Sequence, residues 1–266
     1  YGLARLGGAP ASSLVAASSW PLVPAGLLFV PVSDTLFALL SATIVWLMVV
    51  TSTSRIPVLA SVAGGLFWLG MLLSLAFLAI LPIAFLGRVL AARIAFPRDT
   101  RYSFRGIGSF VVTFTALTIG TWCLLGLDLF STWSTNLAKH AGFYEQMHRS
   151  YGVWVPLNLV EFGISSGPIF ASLAFLSVFF GRPMATERAV VWLSDALAGV
   201  IVVWVATLLT LDLSGRNLSE VARLWILLMP FGCAGLARLG ELTAGTWRLC
   251  LMWTLAAAVT LLLVAG

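Results

Sequence analysis

Residues 211–225, LDLSGRNLSEVARLW, carry four charged side chains between two long apolar runs: Asp212, Arg216, Glu220 and Arg223. Only 9% of the chain is charged, 60% is hydrophobic and the mean hydropathy is +1.03. Soluble domains are closer to half apolar and about a quarter charged. The apolar runs recur from end to end, so a single signal peptide does not explain them, and they lack the short alternating segments of a membrane barrel. The sequence therefore predicts an all-α, polytopic membrane protein.

The apolar runs divide the chain into membrane-crossing helices, each of which needs about 20 mostly apolar residues. We read about nine of them in a single transmembrane helical domain over residues 1–266. They lie near 12–31, 35–51, 57–71, 72–92, 107–127, 155–180, 189–210, 221–238 and 244–265. The region 57–92 is too long for one crossing and short for two. Its glycines, Gly64, Gly65 and Gly70, permit close packing or a break, which favours two short helices with a tight turn.

The basic residues predict the orientation, because cytoplasmic loops carry an excess of Lys and Arg. Five arginines lie between Arg88 and Arg105 against one acid, Asp99. With that segment inside, eleven of the fifteen basic residues are cytoplasmic. The other four are Lys139, Arg149, Arg216 and Arg223. We expect an integral protein of a bacterial plasma membrane, with the N-terminus of this chain cytoplasmic. If residues 57–92 crossed the membrane only once, the predicted orientation of every segment before them would be reversed.

A first polar cluster on the outer side spans residues 139–162, KHAGFYEQMHRSYGVWVPLNLVEF. Asn158, Glu161 and Ser165 share one helix face, at i, i+3 and i+7. A carboxylate inside an apolar span usually faces the bundle interior or a wet cavity. The alternative is that these side chains hydrogen-bond neighbouring helices without doing chemistry. Both histidines, His140 and His148, lie in the cluster, but their spacing matches no metal-ligand motif.

The second cluster is residues 211–225 itself. Ser214, Gly215 and Asn217 predict a turn, after which Asn217 or Ser219 caps a helix. Glu220 is placed to pair with Arg223 at i+3. Arg223 either extends outward to water or points inward at an anion, which a helix N-terminus with a guanidinium binds well.

A third outer group is Asp34, which follows Pro31. Pro31 ends one crossing, and Ser33 or Asp34 caps the next helix; the alternative is that Asp34 belongs to the binding site.

The opening stretch, YGLARLGGAPASSLVAASSWPLVPAGLLFVPVSDTLFALLSATIVWLMV, resembles the central part of GT-C glycosyltransferases, such as protein O-mannosyltransferases. The likeness is one of layout: a small-residue turn at Gly7 and Gly8, a small-residue helix, a boundary marked by Pro21, Pro24 and Pro31, and a long apolar helix. Two later stretches, HRSYGVWVPLNLVEF and LDLSGRNLSEVARLW, are more loosely similar to outer-boundary segments of that group.

The resemblance implies transfer of a sugar from a polyprenyl-phosphate carrier to an acceptor on the outer side of the membrane. The family's catalytic acid lies in an outer loop that would precede Tyr1, so no catalytic residue is carried over. We expect this chain to be the C-terminal, carrier-binding portion of a longer protein. Its candidate binding residues are Asp34, His148, Arg149, Asn158, Glu161, Asp212, Arg216 and Arg223. The expected partners are the bilayer and the sugar donor, without nucleic acid. A divalent metal stays open, although no ligand motif is present.

Two alternatives remain. In a polytopic transporter or lipid flippase, Glu161 and Asp195 would be relay groups, although the sequence has no clear internal repeat and almost no charge near mid-membrane. A non-catalytic membrane subunit would need no acidic loop at all.

Overall fold

The computed structural model describes residues 1–7, 10–29, 34–54, 56–95, 101–147, 149–177, 196–217 and 221–242, with the short stretches 254–255, 258–259 and 261–262. Every regular element in these ranges is helical, which confirms the all-α class. The helices are α1 (Pro10–Ser18), α2 (Pro24–Leu28), α3 (Asp34–Ser54), α4 (Pro57–Leu73), α5 (Ile80–Ala95), α6 (Arg101–Leu125), α7 (Leu129–Met147), α8 (Tyr151–Ser166), α9 (Pro168–Leu176), α10 (Ala196–Leu213), α11 (Val221–Leu224) and α12 (Met229–Leu242).

Four segments of the described chain are long and apolar enough to cross a membrane: Asp34–Ser52, Leu75–Ile94, Gly106–Leu125 and Ala196–Leu213. Two further apolar helices, Pro57–Leu73 and Ile226–Arg238, are shorter.

Three predicted crossings differ from single continuous helices. Residues 12–31 contain α1, a 3₁₀ turn and α2, residues 155–180 contain α8 and α9, and residues 221–238 contain α11, a 3₁₀ turn and part of α12. Most of 244–265 lies outside the described residues.

The region 57–92 forms two helices, as predicted. Helix α4 begins with Pro57 at its first position, where the missing N–H costs nothing, and ends before Ser74. Ser74 is extended (φ −160°, ψ 137°), and its hydroxyl accepts a hydrogen bond from the Ala76 amide. A 3₁₀ turn, Leu75–Ala79, then leads into α5.

Helix α4 packs closely against α6 because Gly64 has no side chain. A Cβ at Gly64 would lie 2.5 Å from the carbonyl oxygen of Phe110. Phe67 extends this contact, with ring centroids 5.4 Å from both Phe110 and Phe114. The close packing expected of the α4 glycines is present here.

One end of the bundle, which we call the polar end, holds the N-terminus of α3, the C-termini of α4 and α10, and α11. Phe37 of α3 meets Phe77 just after α4, with centroids 5.5 Å apart. Asp34 contacts α11, as described below. A charged group also lies toward the opposite end, where buried Arg88 of α5 donates to the Met48 carbonyl (2.9 Å) and to the Thr51 hydroxyl of α3.

Helix α7 was not predicted as a helix. It begins after Gly126, whose φ of +67° suits glycine, and Asp128 accepts a hydrogen bond from the Ser131 amide (3.0 Å) at its first turn. The helix-period signal was present in Phe130, Trp133 and Leu137, but α7 is not among the segments apolar enough to cross a membrane.

Candidate functional site

The site at the polar end is built from segments distant in sequence. Asp34 is the first residue of α3, and its Oδ2 lies 3.0 Å from Nε of Arg223 in α11. The Asp34 side chain is 18% exposed and that of Arg223 is 51% exposed. Arg223 thus pairs with a carboxylate while about half of its side chain stays exposed. Its predicted partner, Glu220, lies outside the described residues.

Asn158 joins α8 to the end of α10. Its Nδ2 donates to Oδ1 of Asp212 (3.0 Å) and to the backbone carbonyl of Asn217 (2.7 Å). Asn158 is fully buried and Asp212 is 1% exposed. One amide group therefore satisfies a buried carboxylate and a turn carbonyl, both of which would be costly to bury alone.

Glu161, one turn further along α8, reaches α11. Its Oε1 accepts a hydrogen bond from the backbone amide of Ala222 (3.0 Å). Among the described residues this carboxylate fills the capping role that the sequence assigned to Asn217 or Ser219. The third residue of the predicted stripe, Ser165, donates to the Glu161 carbonyl (2.6 Å) within its own helix.

The turn after α10 forms as predicted. Gly215 has a φ of +63°, and its amide donates to the Asp212 carbonyl (3.0 Å). The Tyr151 hydroxyl donates to the Leu213 carbonyl (2.8 Å), and a Cβ at Gly215 would lie 2.8 Å from the Tyr151 ring. When the Asn217 amide is oriented with its oxygen toward the indole, that oxygen accepts a hydrogen bond from Trp225 Nε1 (3.1 Å). The Tyr151 contacts thus tie the start of α8 to the turn.

The remaining predicted cations flank this network. The Arg149 guanidinium lies over the Trp154 ring, 5.1 Å from its centroid, two residues before Tyr151. Arg216 is exposed in the turn, where its backbone amide donates to the Ser214 hydroxyl (3.3 Å). His148 lies outside the described residues.

Sequence reasoning missed Tyr151 and Trp225 as members of this network. The Tyr151 hydroxyl donates a hydrogen bond to the Leu213 carbonyl at the end of α10. Trp225 is 2% exposed, and its ring packs on Phe162 of α8 with centroids 5.8 Å apart. Neither contact has a local sequence signal, because both join segments that are remote in the chain.

The arrangement separates two kinds of group. Asn158, Glu161 and Asp212 bind other protein groups, which is the structural role left open by the sequence. Arg216 and Arg223 lie at the exposed edge of the polar end, which we call the rim. An anion can reach their guanidinium groups there. Within the described ranges, no group of three or more His, Cys, Asp or Glu side chains is arranged to hold a metal ion.

Arg149, Arg216 and Arg223 are carried on segments joined by the hydrogen bonds of Tyr151, Asn158 and Glu161. The chemistry this arrangement offers is recognition of an anion, phosphate above all, because guanidinium groups bind its oxygens with charge-assisted hydrogen bonds. Comparisons of the chain with protein-family models, curated proteins and solved structures found no match in any of the three.

Proposed function

We propose that this chain is the carrier-binding part of an integral-membrane glycosyltransferase of the GT-C type. The enzyme transfers a sugar from a polyprenyl-phosphate carrier to an acceptor on the outer side of the membrane. In this proposal the polar end faces the outer side, and the rim arginines bind the phosphate of the carrier.

One observation carries the proposal. The segments bearing Arg149, Arg216 and Arg223 are joined by hydrogen bonds at one end of an apolar helix bundle. A lipid phosphate lies at the depth where a membrane-crossing helix ends. Because hydrogen bonds already join the segments that carry these arginines, binding the phosphate there requires less ordering of the backbone.

The buried groups beneath the rim have a supporting role. Asn158 and Glu161 fix the turn after α10 and the start of α11, which hold Arg216 and Arg223. The layout of the opening stretch, residues 1–49, supports the GT-C assignment.

The proposal is tested by measuring binding of polyprenyl phosphate and of the matching polyprenol to the purified full chain in nanodiscs. We expect polyprenyl phosphate to bind more tightly than polyprenol. Arg149→Ala and Arg216→Ala should each weaken binding of polyprenyl phosphate and leave binding of polyprenol unchanged. Arg93→Ala, at an exposed arginine near the end of α5 and far from Asp34, is the matched control and should leave binding unchanged. Equal affinity for phosphate and alcohol would contradict the proposal.

A second candidate is a transporter or lipid flippase, which the break between α8 and α9 favours. Gly167 has a φ of +90° and separates two short helices in tandem. Discontinuous helices of this kind line substrate sites in many transporters. Movement of a labelled lipid between leaflets of proteoliposomes, without sugar transfer, would favour this candidate. Of its two predicted relay groups, Asp195 lies outside the described residues.

A further inference from the structure

Helix α7 connects two points that both lie at the polar end of the bundle. Near its start, Trp133 Nε1 donates to the carbonyl of Met71 (3.1 Å), which lies two residues before the last residue of α4. Tyr151 lies four residues after the last residue of α7, and its hydroxyl donates a hydrogen bond to the Leu213 carbonyl at the end of α10. A 19-residue helix is about 28 Å long, whereas four residues span at most about 14 Å. Helix α7 therefore runs across the polar end and does not return through the bundle.

The side chains of α7 divide into two faces. Phe130, Trp133 and Leu137 form an apolar stripe at i, i+3 and i+7. On the opposite face, Thr132, Thr135 and Lys139 form a polar stripe with the same spacing, and all three are exposed. An in-plane helix with such faces is the pattern of proteins that lie in the membrane interface.

The contacts of Trp133 determine which way the apolar stripe faces. The Trp133 ring stacks on Phe114 of α6, with centroids 6.0 Å apart and an interplanar angle of 15°. Phe114 lies eleven residues before the end of α6, which is about 16 Å along that helix. Trp133 thus faces the bundle, while Phe130 and Leu137 on the same stripe remain 68% and 50% exposed.

The exposed part of the stripe is continuous with the outer surface of α6. Only 11% of the Gly106–Leu125 segment is buried, and Trp122, Leu124 and Leu125 are 61%, 85% and 69% exposed just before α7. In a bilayer this surface of α6 meets lipid.

We propose that α7 is a membrane-interface helix whose apolar stripe binds the lipid of the bilayer that surrounds α6. Phe130 and Leu137 insert among the acyl chains below the headgroups, Trp133 anchors the helix to α4 and α6, and Thr132, Thr135 and Lys139 face water. This inference relies on the membrane setting of the proposed function, but not on any glycosyltransferase activity.

The test is site-directed spin labelling of the full chain in nanodiscs, with Cys123, Cys233 and Cys250 replaced by alanine. Single labels are placed through Phe130→Cys and Leu137→Cys on one face and Thr132→Cys, Thr135→Cys and Lys139→Cys on the other. Accessibility to oxygen, which partitions into lipid, is compared with accessibility to a water-soluble nickel chelate. We expect the oxygen-to-nickel ratio to exceed unity at 130 and 137 and to fall below unity at 132, 135 and 139.

Control labels at Val112→Cys and Leu124→Cys on α6 separate this inference from the membrane setting itself. If the α6 labels are oxygen-accessible while all five α7 labels favour nickel, α7 lies in water and the inference is wrong. If labels at 130 and 137 are shielded from both reagents, another protein surface covers the stripe, which also overturns the inference. Nickel access at the α6 labels would overturn both the membrane setting and the interface helix.

Discussion

Asp34 and Arg223, 189 positions apart in the sequence, form an ion pair at 3.0 Å between the first residue of α3 and the short helix α11. Arg223 stays half exposed in this pair. Exposed ion pairs contribute only about 0–1 kcal/mol to stability, so the energetic role of the pair in folding is small. Its position matters more, because it holds a cation at the rim of the polar end.

The hydrogen bond from Asn158 to Asp212 gives a stability prediction. We expect Asn158→Leu to lower the free energy of unfolding by about 1–3 kcal/mol, because it leaves a buried carboxylate without its donor. Asp212→Asn should cost less, since it replaces the charged form with a neutral one. The double variant Asn158→Leu/Asp212→Leu should recover part of the loss, as measured by unfolding in detergent micelles. Strict additivity of the losses measured for Asn158→Leu alone and for Asp212→Leu alone would show that the two side chains are not coupled.

The contact of Glu161 with α11 predicts a local effect. Glu161→Ala removes the acceptor of the Ala222 amide, so hydrogen exchange at residues 221–225 should become faster. Glu161→Gln keeps an acceptor oxygen and should retain most of the protection. The matched control is Ser172→Ala on α9, whose hydroxyl donates to the Pro168 carbonyl within its own helix. Unchanged exchange in Glu161→Ala would mean that the carboxylate does not cap α11.

The close approach of α4 and α6 predicts a cost for any side chain at Gly64. Gly64→Ala should destabilise the protein by about 1–3 kcal/mol, because its Cβ would lie 2.5 Å from the backbone oxygen of Phe110. Gly108→Ala on α6 is the control and should cost nothing, because no atom of the described chain outside its own helical turn lies within 4 Å of the added carbon. Equal thermal stability of the two variants would contradict this packing.

Much of the polar end could be predicted from composition and spacing. The excess of charge in residues 211–225 marked the turn, Gly215 supplied its positive φ, and the helical spacing placed Asn158, Glu161 and Ser165 on one face. The separation into α4 and α5 followed from length, because 57–92 is longer than one crossing.

Other features depend on tertiary contacts that a sequence window does not contain. The partner of Arg223 is Asp34 and the cap of α11 is Glu161, both remote in the chain, whereas local reasoning had favoured Glu220 and Asn217 or Ser219. The break at Gly167 was missed although Ser166, Gly167 and Pro168 are a turn signal, because the crossing over 155–180 was assigned from its hydropathy. Helix α7 was missed because its polar face lowered its mean hydropathy, and membrane spans were sought by hydropathy.

The most direct test of carrier binding at the polar end is the dissociation constant of polyprenyl phosphate for Asp34→Asn and Arg223→Gln in nanodiscs. Asp34 competes with a phosphate for the Arg223 guanidinium. We therefore expect Asp34→Asn to bind the phosphate more tightly than the unaltered protein, and Arg223→Gln to bind it about tenfold more weakly, a loss of about 1.4 kcal/mol. If both variants bind with unchanged affinity, the Arg223 rim is not where the carrier phosphate binds.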